Sequence, residues 1–478
     1  MTNKTVKTRF APSPTGRMHL GNLRTALFNA LLARSAGGAF LLRMEDTDQA
    51  RSSEAHARAL MADLRWMGLD WDEGPEAGGD AGPYAQSGRG EVYQRYYDQL
   101  VAADLAYPCY CTERELELSR KAQRASGKPP RYAGTCAHLT TEERARREAE
   151  GRKPTLRFRV PAEQTVTFQD LVRGEQRFPT EEIGDFIIRR ADGTSAFFFC
   201  NAVDDALMGV THVLRGEDHL TNTPRQLMLL EALGLPQPTY GHINLITGED
   251  GAPLSKRNGS LSVEELREAG WLPGAVLNYL ARLGHHYTGE VESQLLDLQG
   301  LADHFTTDAL GRAPARFDRH QLTHWQQLAV HKADDPTLAP WLEQLPDNLS
   351  ADQRRALLAA VRDNIAFPAD LAAWGRRVFG ELPEPEEATQ DVIREAGPQF
   401  YAAALDELDT AGGDFSALAK AVRKATGAKG KGLFMPLRAA LTGLCRGPEL
   451  GPVFALMPAE VARRRLEQAR ELATANPS

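Results

Sequence analysis

The chain has 478 residues, 42% of them apolar and 25% charged, with a formal net charge of −8, which is ordinary for a globular protein and implies about three or more domains at roughly 150 residues each. No run approaches the roughly 18 continuous apolar residues of a membrane span, and Met1 to Lys7 lacks an apolar signal region, so a cytoplasmic address with no membrane partner is expected. Five scattered cysteines (Cys109, Cys111, Cys136, Cys200, Cys445) exclude a disulfide framework, and the negative charge excludes indiscriminate coating of nucleic acid, leaving only local basic faces for RNA.

Val6, Thr8 and Phe10 fall on one face of a predicted strand; Pro12 to Gly16 break it, and Leu20, Leu23, Leu27 and Leu31 recur at helical spacing. The apolar run Ala39 to Met44 is short and continuous, as a strand buried on both faces should be, and ends in Glu45, Asp46 and Asp48. A second helix carries Leu60, Leu64 and Met67. This β-α-β-α order predicts a doubly wound parallel sheet, Rossmann-like. Residues 105–200 differ in texture: cysteines, a basic stretch from Arg120 to Arg131, charged helical sequence from Thr141 to Lys153, and β-like runs such as Leu156 to Val160. They read as an inserted α+β domain. An apolar strand at Thr211 to Leu214 then ends in Arg215, Glu217 and Asp218, and another near His242 to Ile246 opens into the Gly-rich run GEDGAPLSKR. Beyond Leu261 the chain turns strongly helical, with the acidic run Glu381 to Glu387 as a loop. The fold class is α/β with an inserted α+β domain, followed by an all-α C-terminal region. The expected divisions are 1–104 and 201–260 (two halves of one domain), 105–200, 261–330 and 331–478.

Ligands of open α/β sheets sit beyond the carboxyl ends of the strands, and Arg9, Glu45, Arg215 and Lys256 all fall at or near that rim. In RFAPSPTGRMHLGN, residues 9–22, Pro12 and Pro14 fix a turn, Gly16 allows an unusual backbone angle, and the helix from about His19 offers free N–H groups and a positive dipole end to phosphate. Gly21 leaves room for a nucleobase or ribose. In PLSKR, residues 253–257, Lys256 stands on a Gly-rich loop between Ser255 and Arg257. Taken singly, His19 is a capping residue and Lys256 a solvated side chain; together they form a cradle for a nucleoside triphosphate.

These two segments resemble the HIGH and KMSKS motifs of class I aminoacyl-tRNA synthetases. LLRMEDTD at 41–48 and HVLRGEDHLTNTPRQ at 212–226 resemble bacterial glutamyl-tRNA synthetases, and the likeness covers essentially the whole chain. It implies ATP with Mg²⁺ at His19, Gly21, Ser255, Lys256 and Arg257, with His19 and Lys256 stabilising phosphate charge. It implies L-glutamate at Arg9, Ser13, Glu45, Phe197, Asn201, Arg215 and Asp218. Guanidinium groups suit the substrate's side-chain carboxylate and Glu45 its ammonium. Two positions depart from the family pattern: Phe197 stands where tyrosine is usual, and Pro253 replaces a lysine. The implied reaction is adenylate formation and transfer to tRNA-Glu, by a monomer. A paralogue that only binds tRNA is the rival reading, disfavoured by intact His19, Lys256, Glu45 and Arg215.

Cys109-x-Cys111 and Cys136-x-His138 in the insertion are a candidate tetrahedral zinc site, with Tyr132 competing with His138 as fourth ligand and free buried cysteines as the alternative. The family has zinc sites here, near the acceptor end of the tRNA. Near the C-terminus, Lys429, Lys431 and Arg438 with Phe434 form a basic cluster suited to phosphate contact and base stacking; the stretch resembles the family's anticodon-binding region.

Overall fold

The computed structural model describes residues 5–48, 51–127, 129–254 and 261–475. The chain divides into two compact units: residues 1–268 with 276–319, and 269–275 with 320–478.

The first unit opens with β1 (Lys7–Phe10), α1 (Leu20–Ser35), β2 (Ala39–Leu42) and α2 (Glu54–Trp66), in the predicted order. β1 and β2 pair in parallel, Phe10 opposite Leu42. Leu20, Leu23, Leu27 and Leu31 of α1 are fully buried, as their spacing predicts. The second strand stops at Leu42 rather than Met44 because its next backbone groups turn to other partners. Leu42 N–H donates to Glu73 O at 2.9 Å and Met44 N–H to Tyr84 O at 2.8 Å. Gly16 does not take the left-handed backbone expected of it; the turn is made by the prolines and by Thr15 N–H donating to Ser13 O at 2.8 Å.

After α3 (Gly90–Ala102) the insertion contributes β3 (Ala106–Cys109), α4 (Glu113–Ala125), α5 (Thr141–Ala149), β4 (Thr155–Phe158), the hairpin β5 (Thr165–Asp170) and β6 (Gly174–Pro179), the short α6 (Thr180–Ile183) and β7 (Phe186–Arg189). β3, β4 and β7 form an antiparallel sheet. α4 and α5 bury no residue, and each starts in a capping box, Thr112 with Glu115 and Thr140 with Glu143. Such reciprocal caps satisfy otherwise orphaned N–H groups and let strongly charged sequence hold a helix.

The chain then forms α7 (Phe197–Leu207), β8 (His212–Gly216), α8 (Thr223–Leu233) and β9 (Thr239–Ile243). β8 and β9 are parallel, with Arg215 opposite His242. β8 begins beside β1, where Thr211 N–H donates to Lys7 O at 2.8 Å. Further along, β8 hands its polar groups to α1: buried Asn29 accepts from Leu214 N–H at 3.2 Å and donates to Leu214 O at 2.8 Å. Buried backbone groups must be paired, and this side-chain amide does what a neighbouring strand would do. The parallel strands therefore run β2-β1-β8-β9. β10 (Ile246–Thr247), α9 (Val263–Glu268), α10 (Pro273–Arg282), α11 (Leu298–Asp303) and β11 (Ala315–Arg316) follow, β10 pairing with β11.

The second unit is helical. From Arg319–Lys332 to Ala459–Thr474 the described residues form ten α-helices and no strand, and residues 381–386 form the predicted loop. Leu418, Leu437 and Leu466 are fully buried in it. Arg465, 2% exposed, donates to the carbonyls of Leu441 and, at 2.9 Å, Gly380, closing helix ends that would otherwise bury unpaired acceptors.

Candidate active site

A cleft of about 390 Å³ opens where β1, β2, β8 and β9 end. Its wall contains Arg9, Ser13, Gly21, Glu45, Phe197, Asn201, Arg215 and Asp218, so residues drawn from five separate stretches of chain meet in one place. Gly21 belongs to the first turn of α1, and no protein atom lies within 4 Å of where its Cβ would be, so the side facing the cleft is open.

His19 caps α1 through its backbone, its carbonyl accepting from Leu23 N–H at 2.9 Å. Its ring does not belong to the cleft wall, and its buried Nδ1 has no hydrogen-bond partner among the described residues. Ser255, Lys256 and Arg257 lie outside the described residues. The chain before them is fixed against β10 and the chain after them beside the first motif. Leu254 N–H donates to Ile246 O at 2.8 Å, Ser262 forms a β-bridge with His19, and Val263 N–H donates to Met18 O at 3.0 Å. Residues 262–263 thus adjoin the first motif in space.

Charge in the cleft is arranged as a buried network. Arg9 donates to both oxygens of Asp205, at 3.2 and 3.4 Å. Arg43, fully buried, donates to Asp205 at 2.7 Å and to Glu45 at 3.2 Å. Arg89 donates to Asp204 at 2.6 Å, and Tyr93 and Gln86 donate to the same carboxylate. Asn201 donates to Glu45 and accepts from Gln226 at 2.8 Å. Although burial opposes it, the Arg9 and Arg43 charges hold the Asp205 carboxyl below the usual range. Burial pushes the Glu45 carboxyl up, against the pull of Arg43 and then Arg9. Three guanidinium groups are thus balanced by three carboxylates.

Two buried arginines of the wall lack a carboxylate partner: Arg24, which donates to the Leu283 and Asn244 carbonyls, and Arg215. Arg215 is 4% exposed, and its partners are neutral: Gln226 Oε1 at 2.6 Å, Thr223 Oγ1 at 2.8 Å and His242 Nε2 at 3.1 Å, with Cζ 4.8 Å from the Tyr240 ring centroid. Nη1 is buried without a hydrogen-bond partner among the described residues. Burial pulls the guanidinium down to about 10. A buried cation without a counter-charge is costly unless something anionic joins it, so Arg215 is placed to receive an anion.

A second cavity of about 900 Å³ adjoins the first, sharing Phe197, and is lined by Arg120, Arg131, Arg147, Arg157, Arg190 and Arg225 with Phe198 and Tyr132. Arg225 lies 5.4 Å from the Phe198 ring centroid and Arg157 lies 3.9 Å from that of Tyr132. Beside it, the sulfurs of Cys109, Cys111 and Cys136 fall within 4.8 Å of one another. His138 does not join them. It is exposed, whereas the Tyr132 hydroxyl lies 3.3 Å from Cys109 Sγ and 3.6 Å from Cys111 Sγ. The reason is the turn at Gly134 to Ala137, which carries Cys136 into the cluster, its N–H donating to Tyr132 Oη at 2.8 Å, and sends the residue after Ala137 outward. Contact with Cys111 and then Cys136 lowers the Cys109 thiol's pKa and raises that of Cys111 by the same sharing of protons. A set of converging thiols, one of them readily deprotonated, is a donor set that fits a soft divalent ion.

In the second unit Lys429 and Lys431 are exposed, as is Phe434 at 48%. Arg438 is half-buried and donates to Pro448 O at 2.6 Å, its place on the helix Lys431–Thr442 facing the following turn. Sequence reasoning also passed over Arg43, Asp204 and Asp205, although two adjacent carboxylates in the otherwise apolar FFFCNAVDDAL were a usable signal. Asp170 and His242 carried none.

Residues 5–324 match the catalytic domain of class I tRNA synthetases (E and Q), and residues 334–470 match an anticodon binding domain. The chain belongs to this class I family of glutamate and glutamine tRNA synthetases. Within it, the chain is 83% identical over 477 residues to glutamate–tRNA ligase 2 of Alkalilimnicola ehrlichii, covering 100% of both, and 58% identical to glutamate–tRNA ligase 1 of Halorhodospira halophila, covering 99% of this chain and 98% of that one. The crystal structure of a glutamate-tRNA synthetase from Elizabethkingia anophelis superposes with a TM-score of 0.87 at 27% identity, covering 98% of this chain and 100% of the other.

Proposed function

We propose that the chain activates L-glutamate with ATP to glutamyl-adenylate, releasing pyrophosphate, and transfers the glutamyl group to the 3′ end of tRNA-Glu, releasing AMP. The observation that carries this reading is the guanidinium of Arg215, buried in the cleft with no carboxylate among its partners and with Nη1 unsatisfied among the described residues. The glutamate side-chain carboxylate supplies the missing charge, with Arg9 beside it, and a guanidinium binds such a group through two parallel hydrogen bonds. Glu45, Ser13, Asn201 and Asp218 surround the ammonium and backbone end of the substrate.

ATP lies over the N-terminal turn of α1 at Gly21, where free N–H groups and the helix dipole favour phosphate. His19 and Lys256 steady charge on the phosphates, with Ser255 and Arg257 beside them, and bound Mg²⁺ supplies further neutralisation there. The attack needs alignment and charge stabilisation rather than a protein nucleophile. The arginine-lined cavity receives the tRNA acceptor end, since unpaired terminal nucleotides bring phosphates to the guanidinium groups and bases to Phe198. Phe197, common to both cavities, marks where terminal hydroxyl and adenylate meet.

Cys109, Cys111 and Cys136 hold a structural zinc, with Tyr132 rather than His138 nearest the fourth position. Residues 105–200 serve the acceptor end, 261–330 the stem, and 331–478 the anticodon, where Lys429 and Lys431 meet phosphate. No helix among the described residues is long and apolar enough to cross a membrane; we assign a cytoplasmic monomer. ATP–pyrophosphate exchange with glutamate and purified tRNA-Glu tests the reading. Exchange dependent on glutamate is expected, and Lys256→Ala should depress its rate about a hundredfold while leaving glutamate affinity within about threefold. An inert wild-type chain would sink the proposal.

A further inference from the structure

Behind Arg215 lies a buried relay that the reaction above does not use. Asp170 ends β5 on the hairpin of the insertion, His242 stands in β9, and Thr223 and Gln226 belong to the first turn of α8; none is more than 2% exposed. Asp170 Oδ1 accepts the backbone N–H groups of Arg173 at 2.8 Å, Val172 at 2.9 Å and His242 at 3.2 Å, while Oδ2 lies 2.6 Å from His242 Nδ1. His242 Nε2 in turn faces the Nε–H of Arg215 at 3.1 Å, and Thr223 Oγ1 at 3.0 Å.

We propose that Asp170 and His242 are positioning residues for amino-acid selection: Asp170 fixes the His242 tautomer, and the bare Nε2 of that ring holds Arg215 so that its spare nitrogen Nη1 is kept for the substrate carboxylate. The inference rests on the reading of Arg215 as the carboxylate-binding cation. Donor and acceptor capacities at the two ends leave one arrangement. An ionised carboxylate only accepts, so Nδ1 must carry the proton; a guanidinium only donates, so Nε2 must be without one. The state of Asp170 agrees. Although burial opposes it, hydrogen bonds from His242 and from the Arg173 and Val172 N–H groups hold its carboxyl below the usual range. Burial keeps His242 neutral despite Asp170, and the Arg215 charge adds to this. An insertion otherwise concerned with tRNA thereby supplies a group that shapes the amino-acid cleft.

Asp170→Asn separates this role from a merely structural one. The amide oxygen retains the three backbone N–H contacts, but the amide nitrogen must donate to Nδ1, which moves the ring proton to Nε2 and sets it against the Arg215 Nε–H. Exchange assays with tRNA-Glu should show KM for glutamate rising about tenfold or more, the cost of one unpaired buried donor, with KM for ATP within about twofold. Nitrogen NMR of labelled histidine side chains should show the tautomer switch at the resonance missing from His242→Gln. In a His242→Gln background, where a side-chain amide oxygen can accept from Arg215 without help from Asp170, the same Asn substitution should cost less than about twofold. An equal cost in both backgrounds, an unshifted glutamate KM, or an unchanged tautomer in Asp170→Asn would each overturn the proposal. A wild-type chain that fails to activate glutamate would instead overturn the functional reading.

Discussion

Arg215 differs from Arg9, Arg43 and Arg89 in one respect: those guanidinium groups face carboxylates, and it faces an amide, a hydroxyl and an imidazole. Lysine at this position keeps the charge but cannot donate to three fixed partners and bind a carboxylate in bidentate fashion. Arg215→Lys is expected to lower kcat/KM for glutamate at least about a hundredfold, with the change mainly in KM, as steady-state exchange at varied glutamate would show. Retained kcat/KM would remove Arg215 from the substrate. Phe197 packs against His219, ring centroids 5.3 Å apart and planes tilted by 31°, at the meeting of the two cavities. Restoring the hydroxyl with Phe197→Tyr is expected to fold normally and to lower KM for glutamate about two- to fivefold, the yield of one neutral hydrogen bond. A raised KM would mean that the hydroxyl points elsewhere.

At the scale of elements, the insertion holds its sheet and its cysteine cluster by different means. β3, β4 and β7 carry a buried apolar face including Leu156, Phe158, Phe186 and Ile188, whereas the stretch around Cys136 packs only a small group with Tyr107 and Tyr110. A core that small gains from a cross-link, which the proposed metal ion on the three thiols would supply. Metal analysis of protein purified without chelator is expected to give one zinc per chain; Cys136→Ser should abolish it, whereas His138→Ala should leave it intact. Loss of zinc in His138→Ala would restore the histidine to the ligand set. α4 and α5 show how much of this region was legible locally. Their Thr-x-x-Glu starts and charged faces specify helices in any context, while the choice of Tyr132 over His138 depends on how one turn folds against β3.

For the molecule as a whole, four histidines of the first unit, His242 and His285 buried and His212 and His219 half-buried, contribute to its response to acid. Burial lowers the pKa of His212 and His242; burial and then the Arg215 charge bring His219 to about 4, and burial chiefly brings His285 to about 4. The unfolded chain titrates its histidines near about 6.5 and so binds more protons than the folded one below that pH. The histidine contribution to stability is therefore full above about 6.5 and falls as pH drops toward about 4, offset in part by the Asp63 carboxyl, which burial raises to about 6. Melting followed by calorimetry should shift down by several degrees between pH 7 and pH 5, by about 4 °C or more; a flat profile would mean that these rings ionise in place. The same scale separates what sequence could and could not determine. By itself it determined the parallel α/β order, the insertion, the helical C-terminal region, and the set of polar residues at strand ends. Turn chemistry, apolar periodicity and short motifs are written within a few residues of each other. Only the tertiary structure decided which charges are spent on each other and which are left without a counter-charge. Arg43 meets Asp205 and His242 meets Asp170 across long separations in the chain, and the energy of a buried charge depends on neighbours that chain order does not bring together.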